Sequence, residues 1–362
     1  MFYLILTACL AGPSGGCGPI LLPQGDAATR QECTAQARRI SEAWLSGRKG
    51  LRSGGTACVA TADLPALPLR QIAPGILLFQ GDPVQLEDSP DGRIANLAAV
   101  VGDASVAVID SGVSRAQGQQ LYAAIRRVTD RPISHLIVTH MHPDHAMGSA
   151  VFAEAGAEIV GHRALPRALE ARAPTYLDNM ARLFGPQAMI GTEVLAPDVV
   201  VGNRLTIDLG GRVLQLNAAQ TAHTDNDLWI RDQATGTLFT GDLVFRDLTP
   251  IVDGSVLGWL DWLGFVPEEQ EWIRFADQLR PGQTISRIDG FLGEDPSNAG
   301  DYQIVELNID SPGGGAFLDV SSDIVVESQM WKKFQKLAPG RVIGFRQALF
   351  DHLERVWNYF LQ

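Results

Sequence analysis

The chain has 362 residues, 46% of them hydrophobic, which is enough for two or three domains around a sizeable core. Its formal net charge of −12 and sequence pI near 5.0, without any basic stripe, argue against a nucleic-acid partner. No apolar run approaches the roughly 20 residues of a membrane-spanning helix.

Residues 1–12, MFYLILTACLAG, admit two readings. One is a targeting segment, although no Lys or Arg precedes the short apolar stretch. The other, which we prefer, is a first strand with Cys9 held by a disulfide. The four cysteines, Cys9, Cys17, Cys33 and Cys58, all fall in this first part of the chain. Their even number in a short, loop-rich segment predicts two disulfides and an oxidising compartment. Three pairings are open, and four buried thiols are the alternative. Residues 33–45 have helical spacing, with Cys33, Ala37, Ile40 and Trp44 on one face. Gly47, Gly50, Gly54 and Gly55 break the chain before a strand at 56–59. Residues 1–66 thus read as a small cysteine-bearing domain, and Pro65 and Pro68 mark its linker.

From about residue 70, strands and helices alternate. Strands are expected at 75–79, 98–101, 106–109, 136–138 and 158–160, then near 205–209, 213–217, 228–231 and 237–240. A helix after residue 112 places Leu121, Ala124, Ile125 and Val128 on one face. A second helical stretch runs over 167–184, and the overlapping segment 175–186 (TYLDNMARLFGP) is expected as a helix over the mouth of a site. Its aromatic and Met content reads as packing. Such interleaving predicts a layered α/β sandwich. The last residues, 286–362, are unassigned in character: a hairpin from Val305–Ile309 through the Ser311–Gly315 turn into 317–326, then an amphipathic helix at 342–361.

The chemistry concentrates in Thr139-His140-Met141-His142-Pro143-Asp144-His145. Three of the chain's seven histidines stand here, just past the apolar run 136–138. If the backbone stays extended, His140 and His142 point to the same side and can share a metal. Pro143 then turns the chain, and Asp144 and His145 emerge in another direction, which suits a second metal. Imidazoles with a carboxylate make a ligand set that zinc favours. His223, in Thr221-Ala222-His223-Thr224-Asp225-Asn226-Asp227, supplies a third histidine. Asp242 and Asp110 each follow a strand; the first is placed to bridge two metals, the second to orient a ligand imidazole or the metal loop.

The run resembles the H-x-H-x-D-H motif of the metallo-β-lactamase superfamily, and the later motifs follow in that family's order. The resemblance covers roughly residues 70–262, and the domain it marks is set at 70–285. It implies an αββα four-layer sandwich with the metals at the edge between its sheets. Carried over, His140, His142 and His223 bind a first zinc, Asp144 and His145 a second, and Asp242 bridges. The implied reaction is attack of metal-bound hydroxide on an ester, thioester or lactam carbonyl, with Asp144 as the catalytic residue. The N-terminal MFYLILTACLA, TYLDNMARLFGP, TAHTDND and Asp253–Leu260 (DGSVLGWL) also look like the quinoprotein relay system zinc metallohydrolases, type 2. That resemblance implies a quinoprotein dehydrogenase as partner and a periplasmic location. The family's proline-glycine-histidine-glycine turn is represented only by Pro281-Gly282-Gln283-Thr284, so Gln283 stands where the second metal's last histidine belongs. One tightly bound zinc and a weaker second site are therefore expected. His352, His135 and His162 read as structural. The alternatives are a β-lactamase, a glyoxalase-II-like thioesterase, and a non-catalytic metal-binding accessory of a quinoprotein dehydrogenase.

Overall fold

The computed structural model describes residues 1–12, 15–245, 251–255, 258–259 and 262–263, and the strands at 284–288, 292–294, 302–304 and 307–310. Met1–Ala218, Asn226–Thr235 and Phe239–Gly241 make one compact unit. Ala219–Asp225, Gly236–Leu238 and the described residues from Asp242 onward make another.

The first unit begins with β1 (Phe2–Leu10), β2 (Cys17–Ala27), α1 (Arg30–Ser46) and β3 (Leu51–Ala60). The strands form an antiparallel sheet in the order β2-β1-β3. Side chains alternate along the central β1. Leu4, Leu6 and Ala8 pack with Cys33, Ala37, Ile40 and Trp44 of α1, and Tyr3 joins the large core with Leu21, Leu64 and Leu67. A capping box opens α1: Glu32 N–H donates to the Thr29 hydroxyl, and Thr29 N–H donates to the Glu32 carboxylate. Disulfides join Cys9 to Cys17, which face each other across β1 and β2, and Cys33 to Cys58, tying α1 to β3. The pairing that the sequence left open is thereby fixed.

The sequence gives no strand signal at β2, because Gly18, Pro19, Pro23 and Gly25 read as breakers. An edge strand tolerates proline, which cannot donate to a ladder. The Gln119 amide covers part of that edge, accepting from Leu21 N–H (2.8 Å) and donating to the Pro19 carbonyl (3.1 Å).

The same unit continues with β4 (Arg70–Ala73), β5 (Ile76–Phe79), β6 (Leu97–Val101), β7 (Val106–Ile109), α2 (Arg115–Arg126) and β8 (Ile133–Ile137). Then come α3 (Pro143–Ala146), α4 (Ala150–Glu154), β9 (Glu158–His162), α5 (Leu165–Phe184) and β10 (Val199–Val201). These seven strands form one sheet in the order β10-β9-β8-β7-β6-β5-β4, antiparallel from β4 to β7 and parallel from β7 to β10. Helical crossovers join the parallel strands, as parallel pairing requires. A second sheet is built from β11 (Arg204–Asp208), β12 (Val213–Ala218), β13 (Leu228–Asp232) and β14 (Leu238–Phe239), in that order. Leu121, Ala124 and Ile125 of α2 are buried as expected. Val128 is not: α2 ends at Arg126, and the turn that follows leaves Val128 58% exposed.

Arg115, at the start of α2, is fully buried. Its guanidinium pairs with Glu154 of α4 (2.5 and 2.9 Å) and donates to the Leu21 carbonyl of β2 (3.0 Å) and to Gln119 (3.1 Å). Glu154 also accepts from the Trp44 indole N–H of α1 (2.8 Å). One ion pair thus ties together four elements, two of them from the cysteine-bearing sheet layer.

A second polar contact joins β2 to α2. The Tyr122 hydroxyl donates to Asp26 Oδ2 (2.7 Å), while Asp26 Oδ1 is buried without a hydrogen-bond partner. Burial pushes the Asp26 carboxyl up to about 7, against the pull of the Tyr122 hydrogen bond and of Arg126. The folded value lies above the ordinary 3.8, so folding favours the protonated form. This contribution is complete below about pH 4 and is lost as pH rises through about 7. Asp26→Asn keeps an acceptor for Tyr122 without the charge. It is expected to flatten the loss of stability over that window and to be more stable than the parent by about 1–2 kcal/mol at pH 8, allowing for partial solvent screening. Urea denaturation at pH 5 and pH 8 checks this; the same pH dependence in both proteins would refute it.

In the second unit, β15 (Thr284–Ile288) pairs antiparallel with β18 (Leu307–Asp310), and β16 (Leu292–Glu294) with β17 (Tyr302–Ile304). Leu307–Asp310 is thus a strand, but its partner is 284–288. The expected second hairpin arm at 317–326, the helix at 342–361, Gln283 and His352 lie outside the described residues.

Candidate metal centre

β8 delivers the metal loop. Its parallel register carries on for one residue, with Val138 N–H donating to the Val160 carbonyl of β9. At His142 the backbone is still extended (φ −62°, ψ 147°), and Pro143 then begins the single turn of α3. His140 Nε2 lies 3.1 Å from His142 Nδ1. Two nitrogens bound to one tetrahedral zinc at the usual bond length stand about 3.3 Å apart. The spacing therefore suits a shared metal. Asp144 and His145 lie on α3, with Asp144 Oδ2 3.3 Å from His145 Nε2, and the rings of His140 and His145 are 4.2 Å apart.

Asp110 braces this loop. It is buried and sits at φ 58°, a left-handed backbone position that aspartate tolerates better than most residues. Asp110 Oδ1 accepts from Thr139 N–H (2.8 Å), and Oδ2 accepts from the Thr139 hydroxyl (2.8 Å) and from His145 Nδ1–H (2.7 Å). Burial pushes its carboxyl up, while His145 and the Thr139 hydrogen bonds pull it down. Close backbone packing completes the brace: Ser111 N–H donates to the His145 carbonyl, and Gly148 N–H to the Gly112 carbonyl (both 2.8 Å). A Cβ on Gly148 would lie 2.0 Å from the Ser111 carbonyl oxygen, so only glycine fits there.

These bonds also set the tautomers of the imidazoles. The Thr139 hydroxyl gives its proton to Asp110, so its oxygen accepts from His140 Nδ1–H (3.0 Å). His145 Nδ1–H is committed to Asp110. His223 Nδ1–H donates to the Ile251 carbonyl (2.7 Å). In each ring Nε2 is left as the lone-pair nitrogen, the form a metal requires.

His223 is fully buried, flanked by the rings of Phe245 and Trp259 at 5.7 and 5.5 Å. Its loop is pinned by the segment 251–255: Asp253 N–H donates to the His223 carbonyl and Ser255 N–H to the Ala222 carbonyl (both 2.8 Å). Trp259 is fixed in turn by its indole N–H on the Leu243 carbonyl (2.8 Å). Asp242 Oδ2 lies 3.6 Å from His223 Nε2.

Among the described residues, His140, His142, His223 and Asp242 each offer a ligand atom within 4.8 Å of the other three. Three imidazole nitrogens and one carboxylate oxygen are a donor set that fits zinc. Asp144 and His145 are not part of that group. Three supports of the site have little or no signature in the sequence. Thr139 carries a weak signal, since it adjoins His140. Trp259 carries none beyond its place in the family-like segment Asp253–Leu260. The Ile251 carbonyl carries none at all, because any residue provides one.

Over 45 residues, the chain is 38% identical to a linear primary-alkylsulfatase from Pseudomonas sp. (strain ATCC 19151). That stretch is 12% of this chain and only 8% of the relative's length. Among solved structures, a metallo-beta-lactamase from Pontibacter korlensis is similar at 16% identity and a TM-score of 0.44, over 55% of this chain and 83% of that one. The metallo-beta-lactamase from Hirschia baltica gives the same identity and coverage with a TM-score of 0.43. A family model described as the metallo-beta-lactamase superfamily matches residues 90–304, more than half of the sequence, and the chain belongs to that superfamily.

Proposed function

We propose that the protein is a zinc-dependent hydrolase of carbonyl compounds: an ester, a thioester or a lactam. The observation that carries this is the grouping of His140, His142, His223 and Asp242, with the tautomers of His140 and His223 set by their Nδ1 contacts. Zinc in such a site supplies an acidified water and a positive charge for a developing oxyanion. His140, His142 and His223 would hold the ion as neutral donors, and the Thr139 and Ile251 contacts set the tautomers of His140 and His223. Asp144 has a half-buried carboxylate at the start of α3, suited to orient the attacking water or take its proton. Asp110 keeps His145 and the loop in register. A panel of nitrocefin, S-lactoylglutathione and a p-nitrophenyl ester tests the proposal. Metal-dependent turnover of one member supports it and selects the carbonyl class; no turnover with zinc bound would defeat it.

The two disulfides fit an oxidising compartment, and we place the protein in the periplasm beside a quinoprotein dehydrogenase. A second reading, a non-catalytic accessory of that dehydrogenase, is favoured by one sequence observation: Gln283 stands where a histidine would complete a second metal. Co-purification with the dehydrogenase, without turnover, would support it.

The same position yields a prediction. The proposed second site has Asp144, His145 and bridging Asp242, with water or the Gln283 amide as a weak remaining ligand. We expect about one zinc per chain after dialysis against a mild chelator. Gln283→His is expected to raise retained zinc toward two. Two firmly held zincs in the unaltered protein would refute the ligand count.

A further inference from the structure

We infer that the cavity between α5 and the turn at Leu86, which reaches the metal loop at Pro143, takes the apolar acyl or alkyl chain of the substrate. The inference rests on the hydrolase reading and names its substrate class. The cavity holds about 340 Å³, within the size range of small-molecule sites. Its buried lining, Met180 and Pro143, is apolar. Leu86 and Tyr176 are half-buried, and Leu183 is 43% exposed.

Three observations point to a substrate chain. Pro143 stands between His142 and Asp144, one Cα step of about 3.8 Å from each. The cavity therefore reaches the loop that carries both residues. Next, Tyr176, Met180 and Leu183 recur at helical spacing, so α5 offers them on one face. Met180 packs in a small cluster with Val113, Met147 and Met189, and flexible thioethers adapt to ligands of varied length. The content that reads as packing in the sequence is therefore packing on one side and lining on the other. Finally, the charged lining residues, Glu87 and Arg182, both stand at the exposed part, and the Arg182 guanidinium donates to the half-buried Asn179 side chain of its own helix. A polar ligand would lose its hydration there without buried partners, whereas an apolar chain gains by burial.

The test is a chain-length series with the full-length, zinc-loaded protein. The kcat/KM for p-nitrophenyl octanoate should exceed that for the acetate by at least about tenfold. Leu183→Asp, a change at an exposed position that the fold should accept, should lower that ratio by about fivefold or more. In parallel, with the methionine methyls labelled with carbon-13, octanoate should shift the Met180 resonance and butyrate should not. The two acids present the same carboxylate, so the difference reads the chain alone and needs no turnover. Metal-dependent hydrolysis with a flat series and an unmoved Met180 methyl would overturn the inference and leave the hydrolase reading standing. A shifted methyl with a flat series overturns it too, because the cavity then binds chains without serving the reaction. A shifted methyl without hydrolysis of any ester would defeat the hydrolase reading and keep the cavity as a site for apolar chains. Neither a shift nor hydrolysis would overturn both.

Discussion

His223→Ala is expected to release the metal and abolish hydrolysis. The residue supplies one of three imidazoles to the proposed site, and its Nδ1–H is already committed to the Ile251 carbonyl. Losing an outer partner of a ligand typically costs 10–100-fold in affinity. Loss of the ligand itself should therefore cost more than about 100-fold, with turnover falling alongside. Asp110→Asn is the informative companion. It keeps the side chain's shape but loses the charge that accepts from His145 and Thr139. Its effect should fall within the 10–100-fold range and be felt most at His145. Zinc content after gel filtration, read beside a melting curve to separate metal loss from unfolding, decides both. Undiminished zinc and full activity in His223→Ala would end the metallohydrolase reading.

The metal loop is legible in the sequence because its logic is local. His140 and His142 are two residues apart on extended backbone, and Pro143 adjoins them, so spacing alone predicts a common side. His223, Asp242 and Asp110 are legible only as polar residues that follow strands; their order along the chain gives them meaning. What holds them is less visible. The bond from His223 to the Ile251 carbonyl spans 28 residues and uses a backbone group. The fold divides in the same way. Strands β5, β6 and β7 are short apolar runs and can be read directly; β8 is legible only at its apolar end, since the expected 136–138 is in fact Ile133–Ile137, with Ser134 and His135 inside it. β2 cannot, because its glycines and prolines argue against a strand, and its place at a sheet edge is a tertiary fact. The helical face of α1 was plain from Cys33, Ala37, Ile40 and Trp44, yet the partner of Cys33 was not, since a disulfide joins positions that only the fold brings together.

Arg115 is the residue whose role the sequence hides most completely, and its replacement carries the largest expected effect on stability. An arginine at the start of a helix reads as a solvated side chain, because arginine is almost never fully buried unless it is paired. Here it is paired. Glu154 takes two of its hydrogen bonds, the Leu21 carbonyl and Gln119 take others, and the Trp44 ring lies 5.3 Å from the guanidinium. A buried pair gains little over a well-packed apolar replacement, but breaking it leaves the surviving charge uncompensated. Arg115→Met should therefore cost about 3–5 kcal/mol and lower the melting temperature by about 10 °C. Arg48 approaches Glu154 at 3.8 Å and offers partial compensation, which favours the lower end of that range. Arg115→Met combined with Glu154→Gln removes the orphaned charge while leaving an acceptor for the Trp44 indole, and should recover a substantial part of the loss. Chemical denaturation of the parent, the single and the double variants reads this directly. The damage should begin where the network joins layers, with α1 and β2 losing amide protection before the seven-stranded sheet. A cost below about 1 kcal/mol for Arg115→Met, or a double variant no more stable than the single, would mean that apolar packing alone holds the cysteine-bearing layer to α2 and α4.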